Sequence, residues 1–172
     1  GYNNMVEKQE AVTAQWGNVQ NAYQRRADLI PNLVNTVKGY ATHEQETFTQ
    51  VTEARAKATQ TTINPENLTA ESLKDYQQAQ NQLSQALGRL LLIQENYPEL
   101  KANQNFLALQ DELAGTENRI SVARKDYNDA VQAYNTKIKS LPTSLFAGAF
   151  GFGEKEYFKA DEAAKAVPQV KF

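Results

Sequence analysis

The chain of 172 residues has no cysteine, one histidine, one tryptophan and one methionine. Without cysteine there is no disulfide and no thiolate metal site, and nothing marks a redox compartment. Neither sign of charge dominates: 18 basic residues against 20 acidic ones leave a net charge of −2. A nucleic-acid-binding domain shows a basic excess on one face, so no nucleic-acid partner is expected. No apolar run approaches the ~18 residues that read as a membrane span. The chain opens Gly1-Tyr2-Asn3 and not on methionine. The expectation is a longer protein, with a targeting or anchoring segment ahead of Gly1.

The constellations that carry catalysis are also missing. His43-Glu44 is the one pair with evident ligand chemistry. A dinuclear metal bundle needs four carboxylates and two Glu-x-x-His motifs, and no Glu-x-x-His occurs. A zinc hydrolase needs a second histidine on the same face. No Gly-x-Ser-x-Gly turn is present, and the run from Gly148 to Gly153 does not match the nucleotide-binding Gly-x-Gly-x-x-Gly. No enzyme, metal or cofactor is expected.

What is present is helical periodicity, punctuated by Pro31, Pro65, Pro98, Pro142 and Pro168. Apolar residues recur three and four apart along each segment. Tyr2, Met5, Val12, Trp16, Val19, Tyr23 and Ile30 mark the first seam, and Val34, Val37, Ala41, Phe48, Val51 and Ala58 the second. Leu73, Tyr76, Leu83, Leu87, Leu90 and Tyr97 mark the third, and Phe106 through Leu141 the fourth. Proline spacings near the tetratricopeptide period do not indicate that repeat, because the seams are continuous and each such repeat holds two short helices.

Pro31 is expected to sit in a tight turn. One helix over residues 3–60 would span about 87 Å, against roughly 45 to 60 Å for the third and fourth helices, leaving half a seam unpartnered. Proline also removes a backbone donor and clashes with the preceding turn. The expected architecture is therefore all-α: an up-and-down antiparallel four-helix bundle in a single domain over 1–172. Its helices fall near 3–29, 31–62, 68–96 and 99–140, with a tail over 141–172.

Charged residues interrupt the seams. Arg26 on the first helix, Glu44 and Arg55 on the second, and Glu117 and Arg124 on the fourth fall at core-facing register positions, joined by Gln80 and Gln94 on the third. Buried charges persist mainly when paired, so these five are expected to be at least partly buried and paired with one another. Three readings are open: polar layers that fix helix register, long side chains that snorkel outward, or an internal ligand or ion site. Trp16 and most tyrosines lie on the seams and are expected in the core.

The tail carries Phe146, Phe150, Phe152, Tyr157 and Phe158, interleaved with Gly148, Gly151 and Gly153. The glycines break a regular helix, and a short extra helix is expected from about Glu156 to Ala166. The aromatics either plug one end of the bundle or stay exposed as a contact for a partner or the membrane interface.

Several runs resemble one family throughout the chain. These are Tyr2-Asn3, Arg25-Arg26 through Asp28-Leu29-Ile30-Pro31-Asn32-Leu33-Val34, Gly39-Tyr40 with His43-Glu44, Glu117-Asn118-Arg119-Ile120, Ala123-Arg124, Tyr127-Asn128 and the ending from Pro168 to Phe172. They resemble the LemA family. The resemblance implies a four-helix bundle behind an N-terminal transmembrane helix, in bacterial envelope proteins without an assigned activity. Tyr2 would then lie close to the bilayer of the cell membrane. The charges that orient such an anchor flank it, so the side that holds the bundle is not carried over. Two functions follow as expectations: a membrane-tethered interaction or scaffold module with a protein partner, or a ligand-binding or sensing domain that uses the polar interior.

Overall fold

The computed structural model describes residues 2–140 and 154–158. Among them the protein is all-α, with five helices: α1 (Tyr2–Lys38), α2 (Gln45–Gln60), α3 (Ala70–Leu92), the single-turn α4 (Pro98–Lys101) and α5 (Gln104–Lys139). No helix among the described residues is long and apolar enough to cross a membrane.

Pro31 lies inside α1, which is unbroken over 37 residues, so the expected turn there does not form. At 1.5 Å per residue, α1 and the 36-residue α5 match at about 55 Å, and no seam is left without a partner. The direction change falls at Gly39–Glu44 instead, where the Gly39 N–H is shared between the carbonyls of Asn35 and Thr36. The apolar spacing does not mark that place, since Val34, Val37, Ala41, Phe48 and Val51 keep one register through it. Ile30, Leu33, Val34 and Val37 are all buried and continue the first seam past Pro31 without a break. The premise that failed was that a helix passing Pro31 must run on to residue 60.

The 16 residues of α2 reach only about half as far as α1. Below its end, loop residues do the work of a helix: Ile63 and Leu68 are buried in the core, and the Trp16 indole N–H donates to the Ile63 carbonyl at 3.2 Å. α3 then opens on a reciprocal cap between Thr69 and Ser72. The expected fourth helix over 99–140 is split by Ala102 and Asn103. The Asn103 side chain caps α5 by accepting from the Phe106 N–H at 2.9 Å, and donates to the Tyr40 hydroxyl at 2.8 Å. That bond ties the α1–α2 turn to the start of α5.

α1 and α5 run antiparallel side by side. Thr36 meets Asn105, Arg26 meets Glu117, and Met5 and Ile138 share one core cluster. Packing divides into two halves. One holds Met5, Trp16, Tyr23, Tyr76, Tyr127, Tyr134 and Phe158 and is rich in rings. The other holds Ile30, Leu33, Val51, Leu83, Leu87, Phe106 and Leu113 and is mostly aliphatic.

The expected extra helix does not begin at Glu156, since residues 154–158 have no regular secondary structure. The rest of that expected span, to Ala166, lies outside the described residues, as do Phe146, Phe150 and Phe152.

Candidate functional site

Between the two halves of the core lies a polar layer built around Arg26, which is 1% exposed. Its guanidinium donates from Nη1 to Ser84 Oγ at 2.6 Å and to Glu117 Oε1 at 3.2 Å. From Nη2 it donates to the Gln80 backbone carbonyl and to Gln80 Oε1, both at 2.9 Å. The planar fork thus bridges α1, α3 and α5, which a lysine ammonium cannot reproduce. The group also sits over the Tyr23 ring, 5.1 Å from its centroid. Of the three guanidinium nitrogens, Nε has no hydrogen-bond partner among the described residues. The outer neighbours of this layer, Arg25 and Arg119, line an open groove between α1 and α5.

Of the five charged seam residues, the structure brings Arg26 and Glu117 together as an ion pair. Glu44 is half-buried where α2 begins, and its side chain makes no cap there. Arg124, also half-buried, lies over the Phe158 ring at 4.8 Å. Gln94 accepts a 3.4 Å hydrogen bond from Gln110. His43 is exposed, and no group of three or more metal-ligating side chains occurs among the described residues.

Arg55 has a different task. In a continuous helix the Ala27 carbonyl should accept from the N–H of residue 31, and proline has none. Arg55 Nε reaches across from α2 and donates to that carbonyl at 2.9 Å. The helix keeps its proline because a neighbouring helix supplies the missing donor. Arg55→Ala is expected to cost about 1–2 kcal/mol by orphaning a buried carbonyl. In a Pro31→Ala background, where the N–H is restored, most of that cost should vanish. A double-mutant cycle read by urea unfolding checks the coupling.

A second cluster surrounds Trp16, which is fully buried. Its ring meets Tyr76 edge-on at 5.0 Å and Tyr127 at 5.6 Å, and Phe158 stacks on it at 5.9 Å. Burial pushes the Tyr76 and Tyr127 phenols above the ordinary value of 10.0; neighbouring Tyr23 adds to this at Tyr76, while Arg26 opposes it. A raised acid pKa means the folded state holds these protons more tightly. The stability linked to them is therefore complete below about pH 10 and lost as the pH rises further. Phenolate absorbance from Tyr76 and Tyr127 should appear only together with loss of helical circular dichroism. Ionisation ahead of unfolding would contradict this burial.

Phe158 reaches the cluster on a segment without regular secondary structure, where a short helix was expected to begin. Asn135 Oδ1 accepts from the Lys155 N–H at 2.8 Å, and its Nδ2 donates to the Lys155 carbonyl at 2.9 Å. Asn128 treats Phe158 the same way, at 2.8 and 3.3 Å. Between them the Tyr127 hydroxyl donates to the Glu156 carbonyl at 3.0 Å. The spacing explains the fit: seven helical residues rise about 10.5 Å, and three extended residues cover about 10 Å. Residues 155–158 thus run antiparallel to α5 as a strap, clamped by side-chain amides in place of a neighbouring strand. Its hold is close to balance. Phe158 burial contributes about 2–3 kcal/mol and five hydrogen bonds about 1 kcal/mol each. Ordering the five residues 154–158 costs about 1–2 kcal/mol apiece. Two asparagines seven apart in a long helix, where asparagine is a poor former, were the available signal.

A protein-family model described as the LemA family matches residues 15–172. "Magnetosome protein MamQ 2" of Paramagnetospirillum magneticum is 28% identical over 94% of this chain and 66% of its own length. "Magnetosome protein MamQ" of Magnetospirillum gryphiswaldense is 27% identical, over 98% of this chain and 70% of its own. "Protein LemA" of Metamycoplasma hominis is 25% identical over 93% and 69%. The chain therefore spans about two thirds of the length of these relatives. With the family match extending over nearly all of its helices, the chain belongs to the LemA family.

Proposed function

We propose that this chain is a non-enzymatic, membrane-tethered interaction or scaffold domain of the bacterial envelope. In this reading α1, α2, α3 and α5 form an up-and-down four-helix bundle, with residues 155–158 strapped along α5. The observation that carries it is that the polar layer is filled by the protein's own side chains. Ser84, Gln80 and Glu117 take up both terminal nitrogens of Arg26, so the polar layer is spent on joining helices. A sensing domain that used this interior would need those donors for its ligand. Family membership supports the membrane tether and the envelope setting, and the relatives' names describe no reaction. Binding then falls to the outer surface, where Leu92, Leu107 and Val122 are exposed. Chemical cross-linking of the full-length protein in its own membrane tests this. Discrete protein adducts mapping to the outer helix faces are expected. Recovery of the full-length protein free of the membrane, with no protein adduct, would sink the proposal.

A further inference from the structure

We infer that the face of α5 bearing Asn128 and Asn135, with the Trp16 socket, is a peptide-recognition groove. Its ligand is an extended segment carrying one aromatic side chain, supplied by another protein. The inference rests on the interaction-domain reading and names the chemistry of the partner.

The cis strap shows what the groove recognises. Four of the five hydrogen bonds are two-pronged pairs from an asparagine amide to the N–H and C=O of one residue, and the fifth goes to a carbonyl. All five read main chain, so they accept any extended sequence, as in strand addition to a sheet edge. Specificity comes from one pocket. Phe158 is 6% exposed, between the Trp16 and Tyr127 rings and beneath the Arg124 guanidinium. Three residues earlier, the Lys155 ammonium lies over the Tyr134 ring at 5.4 Å, where burial lowers its pKa. Tyr157, between them, points to solvent at 41% exposure. The preferred ligand is thus extended, with an aromatic residue at the Phe158 position and a long aliphatic stem three residues before it. Because the strap is held close to balance, a partner segment with a better match displaces it, and the strap acts as a built-in competitor.

The test is fluorescence anisotropy with a labelled synthetic peptide of the sequence of residues 153–159, titrated with the full chain. Phe158→Ala protein, its socket vacated, should bind the peptide at least tenfold more tightly than wild type. A peptide with alanine at the Phe158 position should lose that gain, as should the Phe158→Ala/Asn128→Ala protein. Should Phe158→Ala fail to fold, Lys155→Pro loosens the strap by deleting one clamped N–H and should raise peptide affinity over wild type. Equal binding to wild type and to the loosened variants, or none to a folded variant, overturns the groove. Neither result touches cross-linking on the outer faces, which judges the interaction-domain reading separately. Gel filtration covers the remaining occupant: a wild-type dimer that Phe158→Ala dissolves would place a second copy's strap in the groove and overturn a partner from another protein.

Discussion

Arg26→Ala is expected to destabilise the domain by about 4 kcal/mol, at the level measured when one member of a buried ion pair is removed. The loss has three parts. Gln80 and Ser84, both buried, lose their donor. Glu117 loses its counter-charge, although at 30% side-chain exposure it recovers some solvation. A cavity opens where a large side chain filled the space between the two core halves. For a chain of this size the midpoint of thermal unfolding should fall on the order of 10 °C. Glu117→Ala should cost less, about 2–3 kcal/mol, because Ser84 and Gln80 still receive the guanidinium. Arg26→Lys should recover about half of the loss at most, since one ammonium cannot reach the partners on both α3 and α5 as the planar fork does. A midpoint unmoved by Arg26→Ala would mean that the layer contributes nothing to the fold.

Trp16→Ala is expected to cost about 3–5 kcal/mol. The indole contacts rings from α3, α5 and the strap, so its loss opens a cavity that no single neighbour can fill. Trp16→Phe keeps most of the volume and removes the bond to the Ile63 carbonyl. Gln20 also donates to that carbonyl, at 3.3 Å, so the milder change should cost only about 1–2 kcal/mol. Urea unfolding followed by circular dichroism measures both. The strap should respond as well: amide exchange at Lys155 and Phe158 should speed up in Trp16→Ala before global unfolding, because Phe158 loses its stacking partner.

The helices were legible because the seams were. Val12, Trp16, Leu83, Leu113 and Tyr127 repeat at spacings that only a buried helical stripe explains, and each is buried. Pro31 misled because a local rule was set against a periodicity that never broke. The missing donor was replaced by Arg55, 28 residues from the Ala27 carbonyl it serves, and no local pattern announces such a replacement. Register placed Arg26, Glu117 and Gln80 in the interior but not Ser84, which meets the same guanidinium only because α3 crosses at that height. The strap was the least legible element. Extended main chain on a helix has no periodicity of its own, and its clamps, Asn128 and Asn135, read as ordinary solvated amides until their partners are placed beside them.

The deepest commitment is that the polar interior is filled by the protein's own side chains and serves architecture, leaving recognition to the outside. Native mass spectrometry of the domain, purified from its own host without denaturation, tests this most directly. The expected spectrum shows the mass of the chain with no small molecule attached, and the same mass for Arg26→Met. A bound small molecule that leaves on unfolding, and is missing from the Arg26→Met protein, would contradict it and make the interior a ligand site.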